Sequence, residues 1–239
     1  MAIELIKRGK KVIIVGRTAS TLPAVAKEIG ATAYYVLDTG DAPSIAPFIE
    51  KIISEHPDLD CLINNAGVQR LHQILGPDYE FDLDSADEEI AINIRGPIRL
   101  FVGLVQKHFS KLEGGAVVMN VSSTLGFLPG GVTCPVYCAT KAFIHSFTVN
   151  LRTQLAKADS KIKVVEIVPP LVRTDLHRER AGGANDPRGA IRAMSVEDFM
   201  TEVVEGWEAD EDVVAVGLGK GIVGAWNGAI GEKYAQWTK

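Results

Sequence analysis

Residues 116–141 pass from an apolar run to a polar, glycine-bearing loop and then to a segment of helical periodicity. That order commits the chain to layers of strand and helix. Ala116-Val117-Val118-Met119 is a continuous apolar run, as a strand covered on both faces requires. Ser122, Ser123, Gly126, Pro129, Gly130 and Gly131 then break regular structure, and from Val136 the apolar spacing is helical. The same alternation recurs along the chain. Residues 1–9 read as the back half of a helix ended by Gly9. A strand is expected at 11–15, a helix with Leu22, Val25, Ala26 and Ile29 on one face closed by Gly30, and a strand at 31–37. A helix follows from an N-cap at Asp41 to His56, then a strand at 61–64, a loop-rich stretch at 68–84, and a long helix from Ser85 with Asn93 in its middle. After the 136–155 helix come a strand at 164–168, a helix near 195–208 and a strand at 213–218. Strands alternating with helices predict a parallel sheet covered on both faces. At 239 residues and 46% hydrophobic, one α/β domain spanning 1–239 can bury its own core.

The chemistry-bearing residues cluster in the same stretch. Tyr137 and Lys141 are four apart, so on a helix they share one face. A phenol ionises near ~10 and is a poor acid or base at neutral pH; a fixed ammonium beside it is expected to lower that value. A strand-end serine, Ser122 or Ser123, supplies a hydroxyl that can bond a carbonyl oxygen. The formal net charge of −5 argues against binding driven by nucleic-acid phosphates, and no apolar run approaches the ~18 residues of a membrane span. The N-terminus has no apolar block of signal-peptide length. Cys61, Cys134 and Cys138 are not at metal-ligand spacing and read as reduced thiols, so a cytoplasmic protein is expected. Cys138 adjoins Tyr137, but a helix turns neighbours apart and no catalytic role is expected for it.

Leu62-Ile63-Asn64-Asn65-Ala66-Gly67, Asn93 before Ile94-Arg95-Gly96, Val121-Ser122-Ser123, Tyr137-Cys138-Ala139-Thr140-Lys141 and Val168-Pro169-Pro170 through Thr174 occur in one order. In that order and spacing the chain, from about residue 1 to 218, resembles the short-chain dehydrogenase/reductase family. The resemblance implies a Rossmann-like, doubly wound parallel sheet and an NADP-dependent oxidoreductase that interconverts a carbonyl and an alcohol. It implies that Tyr137 moves the proton, and that Lys141 lowers the Tyr137 pKa and, with Tyr137, holds the nicotinamide ribose. It assigns Ser123 to the substrate oxygen and Asn93 to a kink and a proton relay. Gly126, three after Ser123, favours Ser123 over Ser122. The Ser123–Tyr137 spacing is one residue longer than the family's usual, so the loop at 129–131 must absorb it.

Arg17, after the second strand of the family fold, is placed to pair with a 2′-phosphate, and Asp38 to bond the adenine. Asn65 lies where the backbone passes the cofactor, and Val172 and Thr174 match positions at the carboxamide end. Residues 175–191 read as a substrate lid, with His177 either a surface loop histidine, the preferred reading, or one that touches substrate. The tail at 219–239 reads as packing on the subunit or forming a contact in a homo-oligomer. The partner is a small carbonyl or alcohol.

The family's first strand and its Gly-x-x-x-Gly-x-Gly turn have no counterpart here, so the sheet is expected to lack the usual first strand and the chain to be a shortened form. The competing expectation is a catalytically impaired binding or interaction protein; a third is epimerisation or dehydration by the same Tyr-Lys pair. Loss of a central strand predicts a poorly folded chain, unless the strands at 11–15 and 61–64 pair directly.

Overall fold

The computed structural model describes residues 1–75, 81–177 and 192–238. Most of the expected lid, 178–191, therefore lies outside the described residues. Six strands are described: β1 (Ile13–Gly16), β2 (Ala33–Val36), β3 (Cys61–Asn64), β4 (Ala116–Val121), β5 (Ile162–Val168) and β6 (Val213–Ala215). They alternate with α1 (Ala2–Lys7), α2 (Leu22–Ile29), α3 (Ala42–Glu55), α4 (Leu83–Ile90), α5 (Gly96–Lys107), α6 (Pro135–Lys157) and α7 (Val196–Glu208). Helices α8 (Gly219–Trp226) and α9 (Glu232–Trp237) follow. All strand pairs are parallel, and helices flank them in a Rossmann-like α/β arrangement.

The strands form two ladders. β1 pairs only with β2, and β3-β4-β5-β6 make a second sheet. β1 and β3 share no hydrogen bonds among the described residues, so the direct pairing weighed above does not occur. Side chains join the two ladders. Leu37, Ile45, Ile49, Phe101, Leu104, Val118 and Val164 form one buried cluster, against which Ile13, Tyr35 and Leu62 pack. Apolar burial thus bridges where a ladder does not.

Local chemistry sets most boundaries. Gly30 closes α2 at φ 75°, a left-handed cap that a Cβ disfavours. Asp82 caps α4, its carboxylate accepting from the Asp84 and Ser85 amides at 3.0 and 3.1 Å, so this helix starts two residues before Ser85. Asp41 precedes α3 but makes no side-chain cap bond. The last strand is shorter than expected and ends at Ala215, because Gly217 takes a positive φ and turns the chain into α8. The tail packs on the subunit through Tyr234, whose hydroxyl lies 2.8 Å from Thr153 Oγ1, and through Trp226, edge-on to His145 and Phe127. Among the described residues no helix is long and apolar enough to cross a membrane.

Candidate active site

Helix α6 carries Tyr137 and Lys141 on its buried face, 5% and 6% exposed. Lys141 Nζ lies 5.6 Å from the Tyr137 ring centroid and donates to the Val121 carbonyl, at the end of β4, at 2.8 Å. The same strand end delivers the serines, and their pleat separates them. Ser122 Oγ donates towards the Ile167 carbonyl in β5 at 3.4 Å. Ser123 hydrogen-bonds the Tyr137 hydroxyl, and its Oγ accepts from the Leu125 amide at 3.2 Å. Of the two candidates, Ser123 faces the phenol.

Asn93 reaches the site from another element. Between α4 and α5 the helix widens into a π turn, Ala91–Arg95, a local distortion frequent at functional positions. Asn93 is 2% exposed. Its Oδ1 accepts from the Val68 amide and its Nδ2 donates to the Val68 carbonyl, both at 2.9 Å, and Nδ2 also reaches Thr140 Oγ1 at 3.1 Å. One side chain thereby ties the loop after β3 to α6. Gly67 lies in that loop. A Cβ there would stand 3.3 Å from Asn93 Oδ1 and 3.7 Å from Lys141 Nζ, so its bare backbone lets the three elements close up.

Burial governs the electrostatics. It pushes the Tyr137 hydroxyl well above the ordinary phenol range, with the Ser123 hydrogen bond pulling back. It also lowers the Lys141 ammonium to about 8, opposed by the charge of Glu89. The expected lowering of Tyr137 by Lys141 is therefore reversed here: both groups are stripped of water, and the cost of a buried phenolate outweighs the ammonium 5.6 Å away. At neutral pH the pair is a protonated phenol beside a charged lysine.

A cavity of about 950 Å³ opens over this constellation, lined by Arg17, Asn65, Ser123, Tyr137, Lys141, Val172 and Thr174 among others. Arg17 stands at its rim, 3.4 Å from Glu88 in an ion pair about half exposed on both sides. Asp38 is not part of the lining; its Oδ1 accepts from the Gly40 amide at 2.8 Å and closes a turn. Asn93 acts from behind the wall. A nucleotide cofactor suits the lining, which offers the Arg17 guanidinium, the Lys141 ammonium, the Ser123 and Tyr137 hydroxyls and the bare Gly67 backbone.

Several residues here escaped sequence reading. Glu89, fully buried, lies four before Asn93 on the same helical face, which was the available signal. It is 3.4 Å from buried His72. Gln69 lines the cavity, and its Oε1 is 2.8 Å from His177 Nδ1. His177 is 8% exposed, not the surface histidine expected, because Gln69 holds it against the cavity.

A family model described as short chain dehydrogenase matches residues 1–184. The chain is 33% identical to the uncharacterized oxidoreductase DltE of Bacillus subtilis, over 86% of this chain and 78% of that one. It is 35% identical to an NADP-dependent 3-hydroxy acid dehydrogenase of Schizosaccharomyces pombe, over 76% of this chain and 70% of that one. The solved structure of a short-chain dehydrogenase from Sphingobium yanoikuyae, in complex with NADPH, superposes with a TM-score of 0.80 at 22% identity, covering 100% and 89% of the two chains. Sequence and fold thus agree that this chain belongs to the short chain dehydrogenase family and is an NAD(P)-linked carbonyl/alcohol oxidoreductase.

Proposed function

We propose that the protein is NADP-dependent, with Tyr137 as general acid/base, Ser123 on the substrate oxygen, Lys141 as cation and ribose ligand, and Asn93 as a positioning residue. The observation that carries this is the convergence of Ser123 and Lys141 on Tyr137 at the cavity wall. When bound, the reduced cofactor NADPH would supply the hydride for reduction and the oxidised form, NADP⁺, would accept it in oxidation. The Ser123 hydroxyl donates to the substrate carbonyl oxygen, and Tyr137 delivers its proton to that oxygen as the alcohol forms. Burial keeps Tyr137 protonated at neutral pH, the state a proton donor needs. Lys141, still charged below about pH 8, offsets the phenolate left behind. Asn93 holds the Val68 backbone against α6. Arg17, with Asn65, Val172 and Thr174 on the lining, takes the cofactor, Arg17 at the 2′-phosphate and Asp38 at the adenine edge.

The similarity to an NADP-dependent dehydrogenase and to an enzyme in complex with NADPH supports the choice of cofactor. The proposal includes one catalytic domain over 1–239, a small carbonyl or alcohol substrate, a homo-oligomer and a cytoplasmic setting.

The test is NADPH-dependent absorbance change over a carbonyl panel. Tyr137→Phe keeps the ring packing and removes the proton donor, so turnover should fall by at least ~10²-fold with unchanged folding. A Phe variant that keeps most of its rate removes Tyr137 from the mechanism.

A further inference from the structure

We propose that Cys134 and Cys138 form an oxidation site beside Tyr137, at which a hydroperoxide converts the two thiols into a disulfide that switches the active site off. The switching half of this inference rests on the role given to Tyr137; the disulfide half does not.

Neither cysteine is in a disulfide, and each keeps 5% of its surface. With Tyr137 they make one packed cluster, although neighbouring residues on a helix were expected to diverge. The reason lies at the helix start. Cys134 is the N-cap, with φ −132° and ψ 59° outside helical values, so its side chain is free of the helical direction and folds back over the first turn. Gly131 shows how closely the sulfurs approach. A Cβ there would lie 2.7 Å from Cys134 Sγ and 2.9 Å from Cys138 Sγ, so both sulfurs crowd one point. The Cys138 thiol donates to the Gly131 carbonyl at 3.6 Å.

The surroundings favour thiolate chemistry. Gln69 Nε2 donates to Cys134 Sγ at 3.4 Å, and the pair sits at the N-terminus of a 23-residue helix, where partial positive charge stabilises an anion. The hydrogen bond from Cys134 draws the Cys138 thiol down to about 7, whereas burial pushes Cys61 up to about 12. Gly130, Gly131 and Cys134 line the cavity and Cys138 clusters with Cys134, so a small oxidant approaches the pair from the Cys134 side.

The steps balance. The Cys138 thiolate attacks one peroxide oxygen, the O–O bond breaks, and the released alkoxide or hydroxide takes up a proton. This leaves a sulfenic acid and an alcohol or water. Cys134 sulfur then attacks the sulfenic sulfur. The S–S bond forms, the S–O bond breaks, and the departing hydroxide leaves as water with the Cys134 proton. The thiols lose two electrons in all and the peroxide gains them.

Residues four apart on a helix have Cα atoms about 6 Å apart, within disulfide range. Their Cβ atoms, about 5–6 Å apart on a regular helix, must close to about 4 Å. The first turn of α6 must therefore contract by about 1–2 Å, and Tyr137 lies within that turn. A shift of that size at a catalytic group costs on the order of 10²-fold in rate.

The experiment treats the purified protein with hydrogen peroxide, then maps thiols by differential alkylation and mass spectrometry, with NADPH-dependent turnover measured alongside. The expected result is a Cys134–Cys138 disulfide, a roughly 100-fold loss of turnover, and recovery with a phosphine reductant. Oxidation should run roughly tenfold faster at pH 8 than at pH 6, following the thiolate fraction around pH 7. Cys61→Ser should respond like the wild type, while Cys134→Ser and Cys138→Ser, each compared with its own untreated sample, should not lose activity reversibly. Recovery of both residues as free thiols after peroxide overturns the site. A mapped disulfide with unchanged turnover overturns the switch. The mapping needs only wild-type protein, so it stands if a serine variant fails to fold. If Tyr137→Phe keeps its rate, the functional reading fails while the mapped disulfide stands or falls separately.

Discussion

At the scale of single residues, two charges carry predictions. Among the described residues Arg17 shares only an exposed ion pair with Glu88, an interaction worth about 0–1 kcal/mol, so an incoming phosphate displaces it at little cost. Arg17→Ala should weaken NADP binding by about 1–3 kcal/mol and leave NAD binding nearly unchanged; equal losses in parallel titrations would remove the 2′-phosphate assignment. Lys141 is the second case. Its pKa is depressed from 10.5 to about 8 by burial, so below pH 8 folded and unfolded states both carry the proton and the fold bears the full penalty, roughly 3 kcal/mol. Between pH 8 and 10.5 the unfolded chain holds more protons, and stability from this group rises with pH. Lys141→Met should lose that rise in denaturant midpoints measured across the window. Catalysis runs the other way: kcat/KM for reduction should fall as pH passes about 8 and the ammonium is lost. A flat profile from pH 7 to 9.5 would separate Lys141 from the reaction.

At the scale of elements, the site depends on how closely the turn after β4 seats on α6. Gly126 is the contact: a Cβ there would stand 2.7 Å from the Lys141 carbonyl oxygen and 2.8 Å from its carbon, both backbone atoms that cannot rotate away. Gly126→Ala should cost about 1–3 kcal/mol by overpacking and slow turnover, because the displaced turn begins at Ser123. Gly130 is the control, since its nearest neighbour is the Leu128 carbonyl oxygen at 4.0 Å. Denaturant midpoints for Gly126→Ala and Gly130→Ala that coincide would show that the turn has slack. This also accounts for the legibility of Ser123. The glycine three residues on pointed from sequence to the serine that faces Tyr137, and its physical basis is the close approach to α6.

At the scale of the whole molecule, β1-β2 is a two-stranded ladder held to the rest by side chains, and such a pair is marginal by itself. Its amides should exchange with solvent through smaller openings than those of β4 and β5, which have partners on both sides. Equal protection in native-state exchange would make the two ladders one cooperative unit. Sequence by itself determined the order of strands and helices, the Tyr137–Lys141 face and the family, because apolar period, capping residues and motif spacing are local properties of the chain. It misjudged what depends on distant partners. Arg17 and Asn93 could be singled out from sequence as candidates, but not that Asn93 would be taken up by Val68 and Thr140. For Asp38, proposed at the adenine, sequence did not show that one carboxylate oxygen would close its own turn. Glu89, His72 and Gln69 carried no motif, and His177 looked like an ordinary loop residue until tertiary packing buried it. The direction of the Tyr137 shift was likewise decided only in three dimensions, because the free energy of an ionised phenol depends on the water removed from it, and water is removed by segments far apart in the chain.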